Sequence, residues 1–159
     1  MLAHVPREPH EGEPEAVEEP AGTEGTTAAV VPFEHSMLRT HPLMAFLATC
    51  DAQRSRQFFE ATLGLTFVSD DPFALVFEAN GTSVRIQKVG SFTPQPFTVL
   101  GWRVADLASV VDDLAGRGVL FERFDGMGQD ARGIWTAPGG ALVAWFKDPD
   151  GNTLSLTQV

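Results

Sequence analysis

The sequence contains a single cysteine, Cys50, and no tyrosine among its 159 residues. One cysteine cannot form an internal disulfide or supply a cysteine-based zinc cluster. Without tyrosine the chain has no phenol for acid–base chemistry. No apolar run approaches the roughly 18 residues that cross a bilayer, and the acidic N-terminus lacks the apolar segment of a secretory signal. We therefore expect a cytoplasmic protein with no membrane partner.

Positive charge is also scarce, with 11 lysine and arginine residues against 21 aspartate and glutamate residues. The formal net charge of −10 argues against binding to a phosphate backbone, so we expect no nucleic-acid partner. Many of the acidic residues lie in residues 1–40, where they are interleaved with proline. Such a segment buries little and repels itself. Residues 1–40 are therefore predicted to form a disordered tail, and residues 41–159 the folded domain.

The pattern of residues from about 42 to 90 predicts a βαβββ unit. An apolar run at 43–49 predicts the first strand, and Asp51 is a suitable N-cap for a helix from Ala52 to Leu63. Gly64 supplies the C′ residue of that helix. Three further strands follow, at 65–69, 73–78 and 83–89, and Asn80-Gly81 forms a tight hairpin turn between the last two.

The same order of elements recurs from about residue 96 to residue 158. A strand at 97–104, kinked near Gly101, precedes Asp106, which caps a helix from Leu107 to Ala115. The remaining elements are a strand at 119–124, a glycine-rich loop at 125–133, a strand at 134–136 and a final hairpin around Asp148-Pro149-Asp150-Gly151-Asn152. Repetition at this period indicates two structural repeats within one α+β domain.

Alternation of apolar and polar residues assigns side chains of the strands to two faces. Thr153, Ser155 and Met44 are predicted to line a cleft. Three apolar residues are predicted to pack under the helices, namely Leu154, Leu156 and Val143. Trp145 is two residues after Val143 and has the same parity, so the sequence does not decide on which face its side chain lies.

Three motifs accompany the repeat, at Asp51…Gly64-Leu65, at Val104-Ala105-Asp106-Leu107…Gly118-Val119, and at Phe146-Lys147-Asp148-Pro149-Asp150-Gly151-Asn152. In this order they resemble the vicinal oxygen chelate superfamily, which includes glyoxalase I, extradiol dioxygenases and bleomycin resistance proteins. The resemblance covers about residues 42–158. It implies two tandem βαβββ modules forming an open barrel-like cleft, in many members paired across a homodimer. In metal-dependent members the cleft holds a divalent ion.

The metal-ligand positions of such relatives can be matched onto this chain one at a time. By their spacing from the helix caps, the two histidine positions fall on Met44 and Val99. The final glutamate position falls on Ser155, and the position on the fourth strand falls near Gln87. Met, Val and Ser cannot replace imidazole and carboxylate as ligands, and Gln87 alone cannot hold an ion. We therefore expect no metal and no cofactor.

A cleft without a metal would bind its ligand through aromatic and polar side chains. Aromatic walls with a few polar groups suit a flat or amphipathic small molecule, and arginine suits a carboxylate or phosphate. Arg103 and Lys147 are further possible anchors. The predicted cleft residues are Met44, Phe46, Arg85, Gln87, Val99, Trp102, Trp135 and Ser155.

Three functions are compatible with the sequence, which identifies no catalytic residue. The leading hypothesis is a glyoxalase/bleomycin-resistance-like protein that binds a small apolar or aromatic molecule in its cleft without a metal. The alternative is a divalent-metal-dependent lyase, isomerase or dioxygenase with non-standard ligands, drawn from His41, Glu78, Gln87 and Glu122. A third is a protein-interaction module in which residues 1–40 bind the partner.

Overall fold

A computed structural model of the protein describes residues 38 to 159. The predicted tail lies outside the described residues except for Leu38–Thr40, which form one 3-10 turn. The first module contains a helix that begins as α1 (Ala52–Arg56) and continues as a π-helical segment (Gln57–Thr62). Its four strands are β1 (Met44–Thr49), β2 (Thr66–Asp70), β3 (Ala74–Ala79) and β4 (Thr82–Lys88).

The second module repeats this order with one helix, α2 (Leu107–Gly116). Its four strands are β5 (Thr98–Arg103), β6 (Trp135–Thr136), β7 (Leu142–Lys147) and β8 (Thr153–Gln158). The strand orders β1-β4-β3-β2 and β5-β8-β7-β6 are equivalent, and in each sheet only the first two strands are parallel. The two sheets are not closed into a barrel. The predicted fold, two tandem βαβββ modules around an open cleft, is confirmed.

Both helices begin where the sequence predicts, because an aspartate side chain accepts a hydrogen bond from a free backbone N–H of the first turn. Asp51 accepts from the backbone N–H of Arg54 at 3.0 Å, and Asp106 accepts from that of Ser109 at 3.1 Å. Gly64 follows the first helix with a φ of 76°, a conformation that glycine adopts without a steric penalty. These caps fix the two helices at equivalent places in the two modules.

The core lies on the helix side of both sheets and is shared by the two modules. Phe59 packs against Phe77 in module one, with ring centroids 5.8 Å apart. Phe58, beside it on the helix, lies 6.5 Å from Phe146 in module two. Burying an aromatic side chain completely contributes roughly 1.5–3 kcal/mol, so this contiguous cluster holds the two modules together as one unit.

One predicted strand does not form in module two. Residues 119–124 do not form a strand, and only Phe121 makes an isolated bridge, to Phe146. The edge of β7 is divided, since β6 pairs with its first half and Phe121 lies beside its second half. The irregularity predicted near Gly101 is present and lies just before it, between Thr98 and Leu100, where the register of β5 shifts.

The predicted face of Val143 is also wrong. Val143 is paired with Thr157, whereas Leu154 and Leu156 are paired with Phe146 and Ala144. Side chains of directly paired residues point to the same face of a sheet. Val143 therefore lies on the face opposite to the buried leucines.

No helix among residues 38–159 is long and apolar enough to cross a membrane.

Candidate functional site

The open face of the first sheet carries four of the predicted cleft residues. In the parallel pair of β1 and β4, Phe46 is the partner of Arg85, and Ala48 is the partner of Gln87. Met44 lies two residues before Phe46, so its side chain is on the same face. The exposed fractions of Met44 and Phe46 are 49% and 54%. We call this surface, together with its counterpart on the second sheet, the cleft face.

The counterpart on the second sheet is defined by Ser155. Ser155 is the partner of Trp145 across the antiparallel pair, and Val143 is the partner of Trp135. Trp135 and Trp145 therefore lie on the cleft face with Ser155, and the open question about Trp145 is settled by register. Their ring centroids are 6.0 Å apart.

Trp102 does not join this group. Its partner on β8 is Leu156, which is buried on the helix side, and its ring stacks on Phe146 at 6.5 Å with an interplanar angle of 20°. The structure therefore removes Trp102 from the predicted cleft residues, because alternation along β5 turns its side chain to the opposite face.

One cavity lies where the first strands of the two modules approach each other. Its volume is about 260 Å³, and we call it the seam cavity. It brings together three predicted residues from both modules, Phe46, Gln87 and Val99. The linker between the modules supplies residues that the sequence analysis had missed, namely Phe92, Thr93, Pro94 and Gln95. Apolar side chains in this linker are the only sequence signal that could have identified them.

A second cavity of about 230 Å³, here called the aromatic cavity, lies over β7 on the cleft face. Its wall is Trp145, whose indole Nε1 donates to Oγ1 of Thr98 at 3.2 Å. Phe124, which sequence reasoning missed, packs edge-on against Trp145 with centroids 5.6 Å apart. The other lining residues are Pro96, Phe97, Glu122, Lys147 and Thr153. Phe124 was missed because it precedes the loop at 125–133, whose direction relative to β7 cannot be predicted from the sequence.

The predicted anchor Arg85 is already engaged by a carboxylate. Its guanidinium donates to Oδ2 of Asp71 at 3.1 Å. Backbone hydrogen bonds from Phe73 and Ala74, and then the charge of Arg85, lower the pKa of Asp71 below its ordinary value. Asp71 thus stays charged and keeps Arg85 neutralised. Lys147 is a cation on the cleft face and lines the aromatic cavity, beside aromatic side chains.

The residues at the metal-ligand positions do not fit a chelated divalent ion. Met44 and Val99 offer no oxygen or nitrogen donor, and the Ser155 hydroxyl is packed against Gly101. Among residues 38–159, no three His, Cys, Asp or Glu side chains are grouped so that they could hold a metal. His41 lies exposed before β1. The described part of the chain therefore contains no set of side chains that could chelate a divalent ion.

The turn between β7 and β8 fixes the position of the two sheets. Asp150 accepts hydrogen bonds from the hydroxyls of Thr49 and Ser55, at 2.6 and 3.1 Å, and from the backbone of Cys50 at 2.9 Å. Asn152, which lines the seam cavity, donates to the carbonyl of Ala48 at 3.1 Å. The turn of module two is thereby bound to the junction of β1 and α1 in module one.

Asp148 begins this turn and is almost completely buried. It accepts hydrogen bonds from the backbone of Asp150 and from the backbone and side chain of Asn152. Burial outweighs these bonds and raises the pKa of Asp148 above its ordinary value.

Comparison with known proteins agrees with this architecture. The family model described as "Glyoxalase/Bleomycin resistance protein/Dioxygenase superfamily" matches residues 39–156. A superfamily member from Sphaerobacter thermophilus is 23% identical, with a TM-score of 0.61 over 77% of this chain and 100% of that chain. TnmS3, an antibiotic binding protein from a Streptomyces species, is 22% identical, with a TM-score of 0.57 over 77% and 98%.

A lactoylglutathione lyase from Agrobacterium tumefaciens is 16% identical, with a TM-score of 0.55 over 73% of this chain and 91% of that chain. Identities this low indicate a common fold and do not transfer a reaction. No curated protein sequence matches the chain.

Proposed function

Because the chain belongs to the glyoxalase/bleomycin resistance protein/dioxygenase superfamily, we propose that its cleft face binds a small apolar or aromatic molecule without a metal. The observation that carries the proposal is the aromatic cavity. Trp145, Phe124 and Phe97 line a cavity of about 230 Å³, and Trp135 packs against Trp145 from outside the lining, with ring centroids 6.0 Å apart. Aromatic side chains supply large apolar contact surfaces, and flat rings stack on them.

The polar groups of the aromatic cavity favour an amphipathic ligand. Thr98 holds the indole of Trp145 through a hydrogen bond, which keeps the ring in one orientation. Lys147 and Glu122 lie at the same cavity and offer a cation and an acceptor. Few polar groups among apolar walls are typical of sites that orient a small molecule.

The side chains at the metal-ligand positions also support binding without a metal. Met44, Val99 and Ser155 stand at the positions where metal-dependent relatives have ligands, and the first two have no suitable donor atom. The alternative, a metal-dependent lyase, isomerase or dioxygenase, would need a different ligand set. TnmS3, described as an antibiotic binding protein, provides a precedent for ligand binding on this fold.

We also propose that the protein is a homodimer. The support is the exposure of Met44 and Phe46 on the cleft face, since contiguous exposed apolar surface usually marks an interaction site. A second copy facing this surface would enclose the cavities described above. Light scattering is expected to give twice the mass of one chain, and a single-chain mass would overturn this part of the proposal.

Titration with anilinonaphthalene sulfonate, a flat aromatic anion, tests the binding proposal. The variant Trp145→Leu removes the central ring and should weaken binding about tenfold, since an aromatic contact contributes about 0.5–1.5 kcal/mol beyond buried area. Phe73→Leu is the matched control, because Phe73 is an exposed aromatic residue away from the cleft cavities. Equal affinities of the wild type and Trp145→Leu would overturn the proposal, provided that near-ultraviolet circular dichroism shows both to be folded.

A further inference from the structure

A third cavity lies on the helix side of the molecule and is larger than either cavity of the cleft face. Its volume is about 360 Å³, and we call it the helix-side cavity. It lies between α2, the end of β5 and two segments of module one, which contribute Leu63 and Asn80. Since it is on the opposite face from Ser155 and Trp145, a ligand in it would not contact the aromatic cavity.

The floor of the helix-side cavity is aromatic and its walls are aliphatic. Trp102 lies over Phe146 in a stacked arrangement with a centroid distance of 6.5 Å. Val110 and Leu114 line it from α2, and Leu63 lines it from module one. Trp102 and Val110 are half-buried rather than buried, so solvent and small molecules reach this surface.

Three charged residues line the cavity, Arg103, Asp113 and Arg117. Arg103 is exposed and is paired in register with Thr157, so its side chain lies on the cleft face. Arg117 forms an ion pair with Asp113 at 2.9 Å and donates to the carbonyl of Thr62 at 3.3 Å. Asn80 is exposed in the turn between β3 and β4. Because the ion pair is compensated, the cavity does not demand a charged ligand, but these groups can hydrogen-bond to one polar group of a neutral ligand.

We propose that the helix-side cavity is a second small-molecule site, for an uncharged two-ring aromatic compound that carries one hydroxyl group. An apolar cavity of about 150 Å³ accommodates benzene, so a cavity of about 360 Å³ has room for two fused rings. The rings would lie over Trp102, and the hydroxyl would reach the polar lining at Asn80 or Asp113. The site does not depend on the function proposed for the cleft face.

Two-dimensional proton–nitrogen NMR with naphthol as the probe tests this assignment. The three tryptophan indole N–H signals report on both faces, and each is assigned by its own Trp→Phe variant. Naphthol should move the Trp102 signal in a saturable manner and should give intermolecular NOEs to the methyl groups of Val110 and Leu114. Unchanged Trp102 signals and absent NOEs at saturating naphthol would overturn the proposal.

Filling the cavity provides an independent check. Val110→Phe should abolish the saturable shift of the Trp102 signal, and Ser109→Phe, on the exposed side of the same helix, should retain it. Retained binding in a folded Val110→Phe protein would place naphthol elsewhere. A shift confined to Trp135 and Trp145 would overturn the second site while leaving the function proposed for the cleft face intact.

Discussion

The hydroxyl of Thr49 donates to Oδ2 of Asp150 over 2.6 Å, although the two residues are 101 positions apart in the chain. Thr49 ends β1 of module one, and Asp150 lies in the β7–β8 turn of module two. The same carboxylate accepts from Ser55 and from the backbone of Cys50. This contact sets the spacing of the two sheets and thus the geometry of the seam cavity.

Replacing Thr49 by valine should lower the free energy of unfolding by about 1–3 kcal/mol. Valine has the same shape, but it removes the hydrogen bonds between the hydroxyl and its three partners. These partners are the backbone N–H of Asp51, the Ser55 hydroxyl and the Asp150 carboxylate. Urea denaturation measures the loss, with Thr66→Val, an exposed position on β2, as the control. Equal losses for the two variants would show that the contact does not hold the modules together.

Glycine is required at position 101 by the neighbouring strand. A Cβ there would lie 2.5 Å from Oγ of Ser155 and 3.3 Å from its carbonyl oxygen. Gly101→Ala should therefore cost about 1–3 kcal/mol of stability, and adding Ser155→Ala should restore part of the loss. Gly90→Ala is the control, because an added Cβ at position 90 has no neighbour within 4 Å. An unchanged melting temperature for Gly101→Ala would contradict the close approach of β5 and β8.

Burial of Asp148 should make stability depend on pH in an unusual direction. Because its pKa is raised in the folded protein, the folded state holds the proton more tightly than the unfolded state does. Between the unfolded pKa, near 3.8, and the raised folded value, stability from this group falls as pH rises. The advantage of wild type over Asp148→Asn should accordingly shrink as pH increases through this window.

Denaturation curves of wild type and Asp148→Asn at a series of pH values measure that difference. Asp125→Asn, in an exposed loop, is the control for removing one carboxylate. An advantage of wild type that grows as pH rises would show that the hydrogen bonds from Asn152 dominate over burial.

Local chemistry in the sequence was sufficient to predict both helices and most of the strands in their order, although not the absence of a strand at 119–124. Asp51 and Asp106 cap the helices through their own side chains, and Asn80-Gly81 adopts the positive φ values of a tight hairpin turn. These features depend on neighbours within a few residues. The repeated βαβββ pattern could be recognised for the same reason.

Alternation predicted the two faces of β8 but did not assign those of β5 and β7, which depend on register. Trp102 was placed on the cleft face, but its pairing with Leu156 puts it, half-buried, on the helix side. The error at Val143 has the same cause, since the length of the turn from Asp148 to Asn152 decides which residues are opposite each other. Alternation assigns two faces to a strand without stating which face is buried.

Contacts between distant segments could not be predicted from spacing. The carboxylate of Asp150 was recognised as part of a turn, while its bonds to Thr49 and Ser55 depend on how the modules pack. Phe124 contacts Trp145 only because the chain crosses the edge of β7 at Phe121. The aromatic cavity is therefore a product of tertiary structure.

Metal content tests the central claim, ligand binding without a chelated ion, most directly. Tag-free protein would be incubated separately with Fe²⁺, Mn²⁺, Ni²⁺ and Zn²⁺, dialysed exhaustively and submitted to elemental analysis. We expect a metal-to-protein ratio near zero for every ion, because Met44, Val99 and Ser155 stand where ligands would be needed. A retained ratio of about one ion per chain or per dimer would contradict the account, since a ligand set would then exist that the described residues do not reveal.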